Sequence, residues 1–297
     1  MSDRKNLLLL YYTGTYNTKY LTMELKKKFT PFYNVETYEV NIHSFHVLEL
    51  SKFDIIGLGY PIYSFNVPSY FIKFLKKQRF PKDIKYFIYK NSGETYNLNS
   101  ASSSAIIRLL KKQNVKVTNE YHFPMPYNII FRFPNEIVSE LLNYNDKLMD
   151  ILVHDINQDV KNIKRYKLFY KIFSVLLRIQ CLGGPVNSFF YRVDKNCIKC
   201  DKCLNNCPTE NIYKKDGKIR FHHHCIMCMR CSFCCPTSSI KIGFLNHWKV
   251  NKPYDLYSLK EQINGKPSIN KDTKGFFKCY IKTFKDIDTR FNQIKGK

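Results

Sequence analysis

The residues with the clearest chemistry are nine cysteines between Cys197 and Cys235, out of eleven in the chain. Eight of them form two copies of the pattern C-x2-C-x2-C-x3-C-P. The copies are Cys197, Cys200, Cys203 and Cys207 with Pro208, and Cys225, Cys228, Cys231 and Cys235 with Pro236. This spacing is typical of bacterial 4Fe-4S ligation, in which the fourth cysteine of each copy binds the other cluster.

The pattern therefore predicts two crossed ligand sets. Cluster one takes Cys197, Cys200, Cys203 and Cys235, and cluster two takes Cys225, Cys228, Cys231 and Cys207. Cys181, Cys234 and Cys279 are predicted to be non-ligands, because only Cys235 keeps the x3 spacing and precedes a proline. Structural zinc is the alternative, since four thiolates also bind tetrahedral zinc, but zinc does not require equal x2 steps.

Residues 193–243 behave as an internal repeat, because each cysteine quartet ends in Cys-Pro-Thr. Asp216-Gly217, within Lys214–Phe221, predicts a hairpin that joins the two halves. This segment resembles the bacterial two-cluster ferredoxins, which are small modules with pseudo-two-fold symmetry.

A second candidate site begins after the short apolar run Asn6–Tyr12. A hydroxyl-rich loop follows this run and leads into a helical pattern that extends to Phe29. The loop residues are Thr13, Gly14, Thr15, Tyr16, Asn17 and Thr18. Free amides at a helix start, together with hydroxyls, bind phosphate. The lysine of nucleotide-hydrolase phosphate loops is absent, which disfavours ATP or GTP.

Three further apolar runs are positioned to extend a sheet that carries this loop. They are Phe53–Gly59, Ile84–Tyr89 and Val115–His122, with helical stretches between them. Strands that alternate with helices predict an α/β fold with a doubly wound parallel sheet. Such a sheet binds its ligand at the carboxyl ends of its strands.

The loop resembles the flavodoxin phosphate loop, Thr/Ser-Gly-Thr-Gly-Asn-Thr, except that Tyr16 replaces the second glycine. A positive φ would strain Tyr16 and alter the loop. The resemblance implies strand order 2-1-3-4-5, with FMN bound between strands one and three. It also implies two loops against the flavin ring: Pro61, Ile62, Tyr63, Ser64 and Phe65, then Asn91, Ser92, Gly93, Glu94 and Tyr96. The alternative is a simple helix cap, with Tyr63 and Tyr96 as surface aromatics.

The chain as a whole resembles the flavodoxin-ferredoxin fusion proteins of anaerobic bacteria. That resemblance implies FMN and two 4Fe-4S clusters in one polypeptide. The expected domains are a flavodoxin-like unit over 1–160, a helical linker over 161–187, a two-cluster ferredoxin unit over 188–245 and a basic extension over 246–297.

The expected function is electron transfer between the two clusters and FMN. The first alternative is an FMN-dependent reductase of an organic substrate that receives electrons from the clusters. Its catalytic residues are not identified, because Glu94, Tyr96 and His122 are candidates by position alone. The remote alternative, a zinc-bearing nucleic-acid binder, leaves the loops at the strand ends unexplained.

The net charge of +24 is uneven along the chain. Residues 1–163 carry 21 bases and 15 acids, whereas residues 164–297 carry 27 and 9. A basic surface would attract an acidic ferredoxin or flavoprotein rather than nucleic acid, although a lysine-rich composition throughout is an equally good explanation. Neither the direction of electron flow nor the oligomeric state follows from the sequence.

Lys164–Gln180 is a basic amphipathic stretch. It is interpreted either as a membrane-surface helix or, preferably, as a helix that packs the two modules together and ends at Gly183-Gly184-Pro185.

No apolar run reaches the ~18 residues of a membrane span, and Leu7–Tyr12 is too short for a signal peptide. A cytoplasmic location is expected, where cysteines serve metal or redox chemistry rather than disulfides.

Overall fold

The computed structural model describes residues 4–41, 44, 46–95, 97–163, 168–177, 180–262 and 267–296. Its central sheet has five parallel strands: β1 (Asn6–Tyr11), β2 (Asn34–Glu39), β3 (Ile55–Pro61), β4 (Lys85–Ser92) and β5 (Val117–Pro124). The spatial order is β2-β1-β3-β4-β5, which confirms the predicted α/β fold and strand order. β3, β4 and β5 end two or three residues later than the apolar runs predicted.

Four helices cover the two faces of this sheet: α1 (Asn17–Phe29), α2 (Ser69–Leu75), α3 (Ser104–Lys112) and α4 (Asn135–Asn157). Alternate residues of β1 enter separate cores, because neighbouring side chains of a strand point to opposite faces. Leu7 and Leu9 pack with α1 and α4, whereas Leu8 and Leu10 pack with α2 and α3.

Two glycines in β3 make room for aromatic rings of β4. A Cβ atom at Gly57 would lie 2.4 Å from the Phe87 ring, and one at Gly59 would lie 2.2 Å from the Tyr89 ring. All seven residues of β3 are buried, so a larger side chain there would have to displace those rings.

Two helices connect the sheet to the segment that holds the clustered cysteines, residues 191–242, called the cysteine segment below. They are α5 (Leu168–Leu176) and α6 (Gln180–Ser188). The predicted end at Gly183-Gly184-Pro185 is wrong, since α6 runs through these residues. Gly184 lies close to the cysteine segment, because a Cβ atom there would lie 2.3 Å from the Cys225 carbonyl oxygen. The glycine thus allows α6 to pack directly against the cysteine segment.

One side of α5 lies on the loop after β3. The Ser174 hydroxyl donates a hydrogen bond to the Phe65 carbonyl oxygen (3.2 Å), and the Asn66 amide donates one to the Ser174 carbonyl oxygen (2.8 Å). The opposite side exposes five apolar side chains, those of Leu168, Phe169, Ile172, Val175 and Leu176. Residues 164–167 and 178–179 of the predicted amphipathic stretch lie outside the described residues.

The cysteine segment contains β6 (Tyr191–Val193), α7 (Lys202–Asn205), β7 (Ile212–Lys215), β8 (Lys218–Phe221), α8 (Arg230–Phe233) and β9 (Ile240–Ile242). β6 pairs antiparallel with β9, and β7 pairs antiparallel with β8. Asp216 and Gly217 join β7 to β8 with φ of 49° and 68°, which confirms the predicted hairpin.

The two cysteine copies share one backbone conformation. Lys199 and Met227, just before the second cysteine of each copy, both have φ of 53°. Asp201 and Met229, just after it, have φ of 55° and 60°. A left-handed conformation is uncommon for such residues, so its recurrence at equivalent positions supports the internal repeat.

The carboxyl-terminal segment, about which the sequence indicated little, folds into α9 (Leu256–Glu261) and α10 (Cys279–Lys295). Leu256, Tyr280 and Phe284 enter the core formed by α1 and α4. Within the described ranges, no helix is long and apolar enough to cross a membrane. The four predicted domains and the three boundaries between them stay predictions.

Candidate functional site

A cavity of about 690 Å³ opens at the carboxyl ends of β1, β3 and β4. It brings together nearly all of the predicted loop residues: Thr13, Gly14, Thr15, Asn17, Thr18, Pro61, Ile62, Tyr63, Ser64, Phe65, Asn91, Ser92, Gly93 and Glu94. Two predicted residues are exceptions, because Tyr16 is not part of the cavity wall and Tyr96 lies outside the described residues.

Tyr16 adopts the left-handed conformation that its replacement of glycine made a concern. Its φ is 72°, and it precedes the first residue of α1. The Tyr16 ring turns towards Arg230, whose guanidinium carbon lies 5.4 Å from the ring centroid. The loop therefore keeps its left-handed step at the expense of local backbone strain.

Hydrogen bonds connect the loop after β1, residues Thr13–Thr18 (the first loop), to the loops after β4 and β5. The Thr18 hydroxyl donates to the Asn91 side-chain oxygen (2.7 Å), and the Asn17 amide donates to the Pro126 carbonyl oxygen (2.8 Å). The Asn128 amide donates to the Thr15 hydroxyl (2.8 Å). These contacts hold the loops after β1, β4 and β5 in one arrangement.

Thr13 differs from the other hydroxyl residues of the loop. Its side chain is fully buried in the cavity wall, and its hydroxyl has no hydrogen-bond partner among the described residues. A buried hydroxyl without a partner is costly, and an oxygen-rich anion in the cavity would satisfy it. The loop therefore fits the phosphate group that the sequence implies.

Glu94 and His122 are already engaged in hydrogen bonds. The Tyr127 hydroxyl and the Asn99 amide each donate to a different carboxylate oxygen of Glu94, at 2.6 Å and 2.9 Å. Nε2 of His122 lies 2.7 Å from the Ser92 hydroxyl. These contacts explain both side chains as supports of the loop after β4.

The sequence did not reveal the other half of the cavity wall. It comes from Pro126, Tyr127, Asn128, Ile129 and Ile130 after β5, Gly183, Gly184, Val186 and Asn187 of α6, Ile226, Met227 and Met229 of the cysteine segment, and Phe244, Leu245 and Trp248 beyond it. The position of β5 beside β4 could have indicated the first group. The others have no local sequence signal.

The four cysteines of the first predicted set lie together. Cys197, Cys200, Cys203 and Cys235 line one small pocket. Burial raises the pKa of the Cys203 thiol to about 11, and the charges of Cys197 and Cys235 add to the effect. In the other set, burial raises the pKa of Cys225 to about 12, with contributions from Cys228 and Cys207. Cys235, the fourth cysteine of the second copy, therefore lies with the first three cysteines of the first copy.

Backbone amides point at several of these sulfurs. The amide of Asn211 donates to Sγ of Cys207 (3.2 Å), and the amide of Ser239 donates to Sγ of Cys235 (3.3 Å). Burial opposes the thiolate of Cys235, but the Ser239 amide and the Thr237 hydroxyl outweigh it and lower its pKa. Such donors help to set cluster potentials.

Over the described part of the chain, no three His, Cys, Asp or Glu side chains form a group that could hold a metal ion. The type of donor nevertheless fits a cluster, since four thiol side chains line one pocket and the Ser239 amide is directed at the sulfur of Cys235. Thiolate donors in this number suit an iron-sulfur cluster.

The second cysteine set adjoins the cavity. Met227, which lies between Cys225 and Cys228, is part of the cavity wall. A Cβ atom at Gly14 would lie 3.1 Å from the Cys228 carbonyl oxygen, so this backbone touches the first loop. Cys228 is buried, whereas Cys200 of the first set is exposed. The first set therefore contains the more exposed cysteine, and the second set the more buried one.

No family model and no curated protein sequence matches the chain. Among solved structures, a flavoprotein in complex with FMN from Lactobacillus acidophilus is 16% identical over 40% of this chain and 93% of its own, with a TM-score of 0.31. A Streptococcus pneumoniae flavodoxin is 12% identical over 52% of this chain and 99% of its own, with a TM-score of 0.38. Oxidised flavodoxin 1 from Bacillus cereus is 14% identical over 47% and 94%, with a TM-score of 0.32.

Proposed function

We propose that this protein binds FMN and two 4Fe-4S clusters and transfers electrons between them and redox partner proteins. FMN exchanges electrons singly or in pairs, whereas each cluster passes them one at a time. One observation carries the proposal: the same cavity is lined by the predicted flavin loops and by Met227, which lies between two predicted cluster ligands.

In this proposal the first loop holds the flavin phosphate. The buried hydroxyl of Thr13 and the free amides at the start of α1 supply donors to the anion. The loops Pro61–Phe65 and Asn91–Glu94 both line the cavity and would contact the ring. Apolar residues of the wall, such as Ile62 and Met229, keep water away from it.

The two cysteine sets have different positions along the proposed path of electron transfer. We take the set of Cys225, Cys228, Cys231 and Cys207 as the inner set, because Cys228 is buried and its carbonyl oxygen borders the first loop. The set of Cys197, Cys200, Cys203 and Cys235 is the outer set, because Cys200 is exposed. We infer that partner proteins meet the outer set. One chain then replaces diffusion between separate carriers with a high effective concentration.

The expected partners are acidic ferredoxins or flavoproteins, because residues 164–297 carry 27 bases and 9 acids. Electrostatic attraction of this kind accelerates encounter and weakens with salt.

We also expect a cytoplasmic location, where thiols stay reduced. Hydrogen bonds of Glu94 and His122 support the loop after β4, so we assign neither side chain the catalytic role that the alternative of an organic-substrate reductase would need.

The test is anaerobic purification followed by elemental, flavin and spectroscopic assay. We expect about eight iron atoms per chain for two four-iron clusters, together with FMN and a visible spectrum that dithionite bleaches. Colourless protein that contains zinc would contradict the proposal.

Reduction kinetics with an acidic ferredoxin at several salt concentrations then tests the partner class. A rate that does not change with salt would contradict the proposed class of partner.

A further inference from the structure

We infer that Arg230, in the cysteine segment, is a positioning residue for the first loop. Recognition of the FMN phosphate by that loop then depends on the folded cysteine segment. This inference rests on the proposed function, because it concerns how the same cavity distinguishes a phosphorylated flavin. Arg230 lies between the predicted ligands Cys228 and Cys231, where cysteine spacing gives no reason to expect an arginine.

The guanidinium of Arg230 is buried and binds the backbone of the first loop. Its side chain is 7% exposed, and its Nε donates a hydrogen bond to the Gly14 carbonyl oxygen (2.6 Å). Nη2 donates to the Thr13 carbonyl oxygen, and Nη1 donates to the Asn206 carbonyl oxygen (3.4 Å). One side chain thus binds two consecutive carbonyl groups of the loop.

These contacts fix the peptide planes of the loop. In a trans peptide the carbonyl oxygen and the following N–H point in opposite directions. Because Arg230 holds the carbonyl oxygens of Thr13 and Gly14, the N–H groups of Gly14 and Thr15 point away from it. Those three loop residues line the cavity, so the amides are available to an anion there.

The charge of Arg230 acts in the same direction. Among the residues that the structure describes, Glu39 is its one ion-pair partner, at 3.7 Å, and that side chain is 22% exposed. A buried positive charge behind the loop favours a dianionic ligand in front of it, because charge interactions are strong where water is excluded. The contact with the Tyr16 ring also stabilises the left-handed step before α1.

The test compares FMN with riboflavin, which has the same ring and no phosphate. Dissociation constants for both flavins are measured under anaerobic conditions on flavin-free, cluster-loaded protein. Arg230→Met should weaken FMN binding roughly tenfold or more, since bonds from a charged donor are lost, and should change riboflavin binding by less than about threefold. Arg192→Met, which removes an exposed arginine from the same segment, should change neither constant.

The result that overturns the inference is an equal loss of affinity for both flavins, or no loss for either. If Arg230→Met does not retain its iron, Arg230→Lys decides. It keeps the charge but cannot bind two carbonyls as a fork, so a smaller but still FMN-specific loss is expected, and its absence overturns the inference. Wild-type protein that binds neither flavin would refute the proposed function itself.

Discussion

The hydroxyl of Tyr280 donates a hydrogen bond to the backbone carbonyl oxygen of Gly93. Tyr280 is fully buried near the start of α10, and Gly93 lies in the loop after β4. A second contact stands beside it, since the Thr95 hydroxyl donates to the Cys279 carbonyl oxygen (2.8 Å). The carboxyl-terminal helix therefore fixes a loop that borders the cavity.

Replacing Tyr280 with phenylalanine should loosen that loop. The substitution removes the hydroxyl and leaves the Gly93 carbonyl oxygen without this donor, which costs about 1–3 kcal/mol of unfolding free energy. We expect weaker binding of FMN and riboflavin alike, because in the proposed function this loop contacts the ring rather than the phosphate. Urea unfolding and flavin titration measure the two effects. Tyr257→Phe, at a half-exposed tyrosine of α9, is the control and should change neither. Unaltered flavin affinity in Tyr280→Phe would argue against a role for this contact in binding.

Replacing Thr13 with valine should have opposite effects on stability and on binding. Removing a buried hydroxyl without a partner should raise the unfolding free energy of the flavin-free protein by about 1 kcal/mol, whereas FMN affinity should fall roughly tenfold. Denaturant unfolding and FMN titration provide the two readings.

Thr22→Val is the matched control for Thr13→Val. The Thr22 hydroxyl donates to the Thr18 carbonyl oxygen (2.8 Å) and lies 2.9 Å from the Tyr89 hydroxyl, so its loss should destabilise the protein by about 1–2 kcal/mol. If Thr13→Val destabilised the protein to the same extent, the Thr13 hydroxyl would have a structural partner and no role in holding phosphate.

The crossed ligand sets can be tested with single cysteine variants. Cys235→Ser should lose the same cluster as Cys200→Ser, and Cys207→Ser the same cluster as Cys228→Ser, each leaving about four of eight iron atoms. Iron assay and electron paramagnetic resonance of the reduced proteins identify the cluster that remains. Cys234→Ala is the control and should retain both. A Cys235→Ser spectrum that matched Cys228→Ser would show uncrossed ligation.

Ion pairs of Lys260 should make the attachment of α9 sensitive to acid. Lys260 lies 2.7 Å from Glu24 on α1 and 2.9 Å from Asp146 on α4. Burial alone would raise the pKa of Glu24, but hydrogen bonds from Lys260 and Lys27 outweigh it and hold the pKa below its usual value. Asp146 shows the same balance, with Lys260 and Lys28 lowering its pKa.

A lowered carboxyl pKa stabilises the fold above the unfolded value, near pH 4, and this contribution is lost as pH falls through the folded pKa. Lys260→Met should therefore cost about 1–2 kcal/mol at pH 7, and its difference from wild type should shrink towards pH 3.5. Urea unfolding of both proteins across this range measures the difference. Lys282→Met, on an exposed part of α10, should show no such trend. A difference that is constant with pH would exclude the ion pairs as its cause.

Local patterns in the sequence predicted the sheet and the hairpin well. Apolar runs such as Phe53–Gly59 identify buried parallel strands, and Asp216-Gly217 identifies a turn with positive φ. The prediction at Gly183-Gly184-Pro185 was wrong because these residues usually end helices, whereas here Gly184 allows close contact with Cys225. That contact joins distant parts of the chain and has no local signal.

The same reasoning explains which cavity residues were missed. Thr13–Thr18 stand out because their types and spacing act together within one loop. Val186 and Trp248 reach the cavity only after the chain has folded, as single apolar side chains from separate segments. Arg230 was concealed within the cysteine pattern, where the spacing of Cys228 and Cys231 accounts for the segment without it.

The contact between Gly14 and Arg230 spans 216 positions of the chain. At roughly 5–20 residues per second of protein synthesis, the first loop emerges many seconds before the residue that supports it. The cavity wall contributed by Met227 and Met229 is equally late. A nascent chain therefore lacks a finished pocket until translation has passed the cysteines.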